Sequence, residues 1–532
     1  MASVTIKQTG RRICCAEGAN LLKVLLDAGV FVDNPCNGTG ICGKCRVRIL
    51  GGSFSPMSET EKKLLKPEEV QTGIRLSCMT EVHGEAEAEL LQKERSHKVL
   101  THGFMPDFQR DTFASGYGLA VDIGTTTVVT ALVDLAAGEE VANASMINAQ
   151  KHFGLDVLTR ITYEYNHPDS GIGELQKAIV DSLNAMIDEV CQKAAVEKEK
   201  IKEIDVAANC TMMHMLLGVD ARSIGRAPYK PEFVNARRLM AREIGLELPE
   251  DATLYCLPQV SAYIGADIVA GTYVCQLQKE KGNVLFIDIG TNGEIVLAGN
   301  GRLLCCSCAA GPALEGMNIS SGMRAAEGAV EEVRITEEGI LLKTIGGQEA
   351  AGLCGSGILS VVKELLKTGI VKKTGVFIKK EKLDEDDYRS EMIRMDGTKR
   401  EFVLQKQPEL LVTQGDVRQV QLAKGAILSG FKALLAKARI NMEDLDKVMI
   451  AGQFGAHLPA DSLTGAGILP EAVRDRLVYV GNSSKTGACM TLLSEQVKHE
   501  MEELAERMEY MELAETDNYE RIFAESMIFP VI

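Results

Sequence analysis

Two stretches of this chain repeat one pattern: an apolar run, the turn Asp-Ile-Gly-Thr, and a second apolar run. They are GLAVDIGTTTVVTALVDL, beginning at Gly118, and NVLFIDIGTNGEIVLAG at residues 283–299. Each reads as a strand, a tight turn and a returning strand. One such turn fits an ordinary hairpin. Two copies far apart in the chain argue instead for two related lobes facing one another across a cleft. In each turn a glycine, Gly124 or Gly290, lets backbone N–H groups approach a phosphate closely. Thr125, Thr126 and Thr127 in the first loop, with Thr291 and Asn292 in the second, add side-chain donors. Asp122 and Asp288 stand at the strand ends, where carboxylates would hold a hydrated Mg2+. Asp267 and Glu294 are candidates for orienting an attacking water.

A second feature lies near the N-terminus. Cys36, Cys42 and Cys45 share the Gly-rich segment PCNGTGICGKC, with five and two residues between them, and Cys78 stands alone further on. The spacing is close to the plant-type ferredoxin pattern, lengthened by one residue between the first two ligands, and indicates a 2Fe-2S cluster held by four thiolates. Four cysteines can also close a tetrahedral zinc site, but zinc ribbons usually present two C-x-x-C knuckles. Residues 1–95 read as a ferredoxin-like unit: strands in SVTIKQTG and RRICCAEG, a helix through ANLLKVLLDAG capped by Asn20, a strand in CRVRILGG, polar turns around SFSPMSETEKK, and IRLSC returning the fourth ligand. Residues 96–116 mix charge with Gly and Pro and read as a linker. The remainder, 117–532, is the two-lobed unit, with phosphate loops at 122–127 and 288–294.

A chain of 532 residues is too long for one core. Acidic residues outnumber basic ones, 74 to 58, for a formal charge of -16, which argues against nucleic acid as a partner. No apolar stretch is long enough for a membrane span and no secretory h-region opens the chain, so a cytoplasmic protein is expected. Its fifteen cysteines then read as thiols and metal ligands, with Cys14, Cys15, Cys191, Cys210, Cys256, Cys275, Cys354 and Cys489 as small core residues and Cys305, Cys306 and Cys308 as packing. His214 reads as a core histidine, and His457 either as that or as a nucleotide contact. Leu175, Ile179, Leu183, Met186 and Val190 recur at helical spacing as core. So do Val497, Met501, Leu504, Met508 and Met511. The charged run KKEKLDEDDYRSEMIRMDGTKRE reads as a solvated insertion.

The two D-I-G-T loops resemble the phosphate loops of the acetate kinase, sugar kinase, heat-shock protein 70 and actin superfamily, whose duplicated ribonuclease-H-like lobes bind ATP. PQVSAYIGADIVAG (258–271) looks like the helix connecting the lobes. MIAGQFGAHL (449–458) resembles the adenosine loop, with Gly452, Gln453 and Gly455 beside the nucleoside. GLCGSGILS, with Gly355 and Ser356, and YVGNSSKTGA look like further turns at the cleft. Joined to the cysteine motif, this resembles the reductive activators of corrinoid proteins, a similarity that also covers NAQKHFGLDVLTRI, VAANCTMMHMLLG, AAGPALEGMNISSGMRAAEGA and TQGDVRQVQLAKGAI. It implies an α/β chain with a β-grasp 2Fe-2S domain and an actin-like ATPase, and ATP-dependent transfer of one electron to Co(II) of a partner corrinoid protein. That restores Co(I) for methyl transfer, with electrons drawn from a low-potential donor of ferredoxin or flavodoxin type. A homodimer is also implied, although the segment larger members place between linker and ATPase for dimer contacts is not evident here. A plant-type cluster near -400 mV is a weak reductant for Co(II), and each ~59 mV of shortfall costs about 1.4 kcal/mol, which gives ATP a task. The alternatives are a redox-sensing nucleotide-binding regulator and an activator of another low-potential radical or metalloenzyme.

Overall fold

In the strand Ala2–Ile6, Ala2, Val4 and Ile6 alternate onto one buried face. This strand pairs antiparallel with Arg11–Cys15 and parallel with Glu81–Leu90, and Arg46–Phe54 and Ile74–Leu76 extend the same sheet beyond Glu81–Leu90. Helix Leu21–Asp27 adds Leu21, Leu22 and Leu25 to its core. Asn20 caps that helix by accepting the Lys23 N–H at 3.2 Å. The result is a β-grasp unit. The computed structural model describes residues 2–28, 30, 32, 40, 43, 45–91, 104–112, 115–397, 399–452 and 458–531. They divide into this small unit, within the first 96 residues, and a larger one carrying nearly all the rest.

Two local expectations for the small unit are corrected. Around SFSPMSETEKK a short helix, Glu59–Leu64, replaces polar turns, because Ser58 and Glu61 cap it reciprocally. The fully buried Glu61 carboxylate also takes Arg75 Nε at 2.9 Å, Arg75 Nη2 at 3.0 Å and the Leu76 N–H at 3.1 Å. That pair ties the helix to the strand leading into Cys78. Cys14 is exposed and Cys15 half-buried, because Arg11–Cys15 is an edge strand. The other six cysteines expected in the core are buried.

The larger unit contains two six-stranded sheets of one design. In the first, Tyr117–Ile123, Thr127–Asp134 and Glu139–Ile147 form an antiparallel meander, and Ile201–Ala208 then Thr253–Cys256 add in parallel on the other side, with Arg237–Met240 at the edge. In the second, Val284–Ile289, Gly293–Gly299 and Arg302–Cys308 form the meander, Lys447–Ala451 and Leu477–Gly481 add in parallel, and Met508–Tyr510 closes the far edge. Both leading strands are central, which is why Leu119, Ala120, Val121 and Leu285, Phe286, Ile287 are all fully buried. Helix Gly171–Ala194 presents the expected stripe of Leu175, Ile179, Leu183, Met186 and Val190 to the core.

Two helices exchange between the sheets. Ala266–Val274, which follows the first sheet in sequence, packs so closely on the second that a Cβ at Gly271 would stand 2.5 Å from the Phe286 ring. Ser483–Leu492, which follows the second sheet, packs on the first, where a Cβ at Gly118 would stand 2.9 Å from Leu492. They cross at Gly487, whose missing Cβ would lie 2.5 Å from that of Ala270. Small residues at the crossing let helix Ser483–Leu492 begin at Asp122 beside the opposite lobe's phosphate loop.

Elsewhere the charged insertion contributes to a three-stranded sheet, Ile393–Asp396, Lys399–Lys406 and Glu409–Thr413, with Phe402, Leu410 and Val412 buried. The C-terminal apolar stripe is core, but helix Glu495–Arg507 stops before Met508, which opens a strand. Residues 104–112 have no regular structure yet are bonded to the larger unit, through Phe104 N–H to Val480 O at 3.0 Å and Asp111 N–H to Leu493 O at 2.9 Å. That part of the linker expected over 96–116 therefore belongs to the larger unit. Among the described residues no helix is long and apolar enough to cross a membrane.

Candidate nucleotide cleft and cluster site

The first D-I-G-T turn closes with the Gly124 N–H donating to Thr127 O at 2.9 Å, and the second with the Gly290 N–H donating to Asn292 O at 2.9 Å. The two glycine N–H groups are thus engaged within their turns, and the amides that follow them are left to face a ligand. A Cβ at Gly124 would stand 2.9 Å from Thr127 O, so this tight turn excludes a side chain. Every carbonyl of the first loop is turned outward and held. Asn148 Nδ2 donates to Gly124 O at 2.9 Å, Arg160 Nη2 to Thr125 O at 2.5 Å, and the Asn148 N–H to Thr126 O at 2.9 Å. Asn209 caps helix Cys210–Leu217 by accepting the Met212 N–H on Oδ1 and donates Nδ2 to Thr125 Oγ1 at 3.0 Å.

The loops meet in a cavity of about 140 Å³ lined by Asp122, Gly124, Thr125, Thr126, Thr127, Asp267, Asp288, Gly290, Thr291, Asn292, Glu294 and Gly452. Asn209, Glu315, Asn482, Ser483 and Ser484 complete the wall. Gly452 lies at φ +89°, and a Cβ there would sit 2.4 Å from Asp288 Oδ1. Helix Ser483–Leu492 delivers two donors to the first lobe, Asn482 Nδ2 to Asp122 Oδ2 at 2.9 Å and Ser484 Oγ to Asp122 Oδ1 at 2.8 Å. Helix Ala266–Val274 delivers Asp267 in its first turn.

Five carboxylates share this cleft, Glu315 buried and Asp122, Asp267, Asp288 and Glu294 half-buried. Burial pushes the Asp122 carboxyl above the usual range despite Ser484 and Asn482. Asp288 rises to about 7 through burial and the neighbouring Asp122, and Asp267 to about 8 through burial, Asp288 and Asp122. Glu294, with Ser307 Oγ on Oε1 at 3.1 Å, is raised by burial and by Asp267 and Asp288, and Glu315 by burial. Mutually repelling carboxylates in one wall fit a divalent cation, whose charge would restore their ionised forms. At about 140 Å³ the cavity suits a polyphosphate tail and a cation better than a whole small-molecule ligand, for which roughly 300–1,000 Å³ is usual.

In the small unit, Cys45 is buried and Cys78 lies beside it. The side chain and backbone N–H of Cys78 hold the Cys45 thiol well below the ordinary range, against burial. Thiolates are what iron requires, so this pair fits two ligands of a cluster. Asn20 Nδ2 fixes the Cys78 carbonyl at 2.8 Å, and Gly40 and Gly43 take positive φ values of 77° and 64°.

Comparisons with known proteins follow the same division. Residues 4–83 match the model described as 2Fe-2S iron-sulfur cluster binding domain, 117–280 the RACo middle region, and 282–532 the C-terminal domain of RACo, the ASKHA domain. The chain is 34% identical over 411 residues to the corrinoid activation enzyme RamQ of Eubacterium limosum, covering 76% of this chain and 69% of RamQ. It belongs to the RACo family. Its relatives include the Co(II) methylated amine-specific corrinoid protein reductase of Methanosarcina barkeri, 22% identical over 440 residues and covering 76% of each chain. A solved reductive activator for corrinoid, iron-sulfur protein superposes with a TM-score of 0.70 at 30% identity, over 100% of this chain and 98% of the other. The family fold is a 2Fe-2S domain followed by an actin-like, sugar-kinase-type ATPase.

The RACo middle region coincides with the first lobe. Gly355 and Ser356 are not among the residues lining this cavity; a Cβ at Gly355 would meet Leu314 O at 1.8 Å, so this helix start supports the turn carrying Glu315. Gln453, Gly455 and His457, like Cys36 and Cys42, lie outside the described residues. His214 is a satisfied core histidine, its Nδ1 2.8 Å from Cys210 O and its Nε2 accepting the Glu232 N–H at 3.2 Å. Cys305, Cys306 and Cys308 are buried, the last two against Gly430 of helix Gln414–Ala438. Asn209, Glu315, Asn482 and Ser484 were missed as individual residues. Each lies in a segment that carried the family likeness, which was the available signal.

Proposed function

We propose that this protein is an ATP-dependent reductive activator of a corrinoid protein. It takes one electron from a low-potential donor of ferredoxin or flavodoxin type and passes it to substrate Co(II) of a methyltransferase system, regenerating Co(I). The observation that carries the reading is the union, in one RACo-family chain, of an adjacent cysteine pair in a ferredoxin-type unit with an acidic cleft between two matched loops. We place it in the reducing cytoplasm, where its fifteen cysteines stay thiols, and infer a homodimer.

Cys36, Cys42, Cys45 and Cys78 hold the 2Fe-2S cluster, which when bound supplies a one-electron carrier. Cys78 keeps the Cys45 sulfur in its thiolate form, ready to ligate. In the cleft Asp122 and Asp288 hold hydrated Mg2+, and Asn482 and Ser484 keep Asp122 oriented toward it. The amides and hydroxyls of Thr125, Thr126, Thr127, Thr291 and Asn292 bind the phosphates, while Arg160, Asn148 and Asn209 hold the first loop in its donating shape. Gly452, with Gln453 and Gly455, borders the nucleoside. Asp267 and Glu294 orient the attacking water. Because helix Ser483–Leu492 starts at the other lobe's loop, a change in phosphate contacts changes the lobe angle, and docking of the corrinoid protein responds to it.

The test is steady-state Mg2+-dependent ATP hydrolysis by the cluster-loaded protein, with and without a Co(II) corrinoid protein. Stimulation by the Co(II) form is expected. Hydrolysis indifferent to any corrinoid protein would turn the reading toward a nucleotide-binding redox regulator.

A further inference from the structure

Glu315 ends the turn Pro312–Glu315, and its side chain is 1% exposed. Its two carboxylate oxygens serve different lobes. Oε1 accepts from Thr291 Oγ1 of the second phosphate loop, and Oε2 accepts from Thr126 Oγ1 of the first at 3.4 Å. A threonine hydroxyl has one hydrogen to donate, so a hydroxyl held by Glu315 cannot also donate to a phosphate. The carboxyl group therefore occupies donors that a polyphosphate entering between the loops would use.

The turn bearing Glu315 has little room to retreat. Gly316 lies at φ +74°, and a Cβ there would stand 2.1 Å from Met323 O; behind it Gly355 presses on Leu314 O. Movement on ligand entry must then come from the Glu315 side chain or from the loops and lobes it joins. The loops are braced from behind in the first lobe by Asn148 and Arg160.

We propose that Glu315 is a nucleotide-displaced latch. It ties the two phosphate loops together in the nucleotide-free protein, and the polyphosphate takes over both hydroxyls and releases the link between lobes. The latch rests on the reading that ATP binds between these loops. It adds what the empty state does: the carboxylate substitutes for phosphate, so binding and re-setting of the lobes are one exchange of hydrogen bonds.

The test uses the full cluster-loaded chain, titrated calorimetrically with the Mg2+ complex of a non-hydrolysable ATP analogue, and followed without nucleotide by amide hydrogen exchange over peptides covering 122–127 and 288–294. Glu315→Gln and Glu315→Ala should each bind the analogue about fivefold more tightly or better, the worth of a hydrogen bond no longer given up. Glu315→Ala and Glu315→Asp should lose exchange protection in both loops before nucleotide is added. The aspartate keeps the charge but is too short to reach both hydroxyls, which separates a latch from simple repulsion. Equal or weaker binding in both the glutamine and alanine variants would overturn the proposal. So would wild-type protection in the aspartate variant. A wild-type thermal unfolding transition of the larger unit, followed by its tyrosine signal, shows that each variant has folded, and wild-type protein that binds no analogue at all would remove the nucleotide reading itself.

Discussion

Asp122 and Asp288 were legible because each closes an apolar run immediately before a Gly-Thr turn, a purely local signal. The donors that hold Asp122 were not, since Asn482 and Ser484 reach it only through a helix that crosses from the other lobe. Asp122→Asn or Asp288→Asn should lower ATP hydrolysis by roughly two orders of magnitude, the scale for losing one essential charge-stabilising group, with the cluster spectrum unchanged. Wild-type hydrolysis in both variants would remove that assignment. Cys45→Ser and Cys78→Ser should each abolish the pair of irons expected per chain, read by iron analysis and by the rhombic EPR signal of the reduced protein. One zinc per chain in the wild type would end the electron-transfer reading. Glu61 gives a pH test. Burial opposes its ionisation, but Arg75 and the N–H groups of Ser58 and Leu76 prevail and hold the carboxyl below its usual range. A lowered folded pKa stabilises fully above the unfolded value near 4.3 and is lost as pH falls through the folded one. Acid unfolding of the ferredoxin unit, followed by amide hydrogen exchange over its peptides, should accordingly shift to higher pH in Glu61→Gln. Arg75→Met, which leaves a buried carboxylate uncompensated, should cost about 3–5 kcal/mol in denaturant titration.

At the scale of elements, the repeated strand, turn and strand was readable because its period and punctuation are local. The helix Gly171–Ala194 was readable for the same reason. What escaped were features set by distant neighbours. Gly271 and Gly487 look like helix-weakening glycines until the crossing partner is known, when each proves to be the gap that the other lobe fills. Gly355 and Ser356 read as a further turn at the cleft because a glycine beside a helix start looks the same whether a ligand or a backbone carbonyl lies against it. The structure supplies the carbonyl, from Leu314. Gly487→Ala should cost about 1–3 kcal/mol by overpacking the crossing and should lower ATP turnover with it. A thermal unfolding scan and a hydrolysis assay on the same sample check this, and an unchanged melting temperature would mean that the crossing is not the tight joint described.

For the molecule as a whole, a one-electron site and a nucleotide cleft were legible from two short motifs, whereas the coupling between them was not, because coupling lies in how lobes move and not in any one segment. Family membership, with RamQ and the methylated-amine corrinoid reductase among the relatives, makes corrinoid reduction the natural use of both sites. The decisive measurement is anaerobic. The cluster-loaded protein is mixed with a Co(II) corrinoid protein and excess reductant, and the Co(I) absorbance band is followed with Mg-ATP, with a non-hydrolysable analogue, and without nucleotide. Repeated turnover to Co(I) should appear with Mg-ATP alone, and should vanish in Cys42→Ser even though its cleft is untouched. Equal Co(I) formation without nucleotide, across several cognate corrinoid proteins, would contradict an ATP-driven reduction.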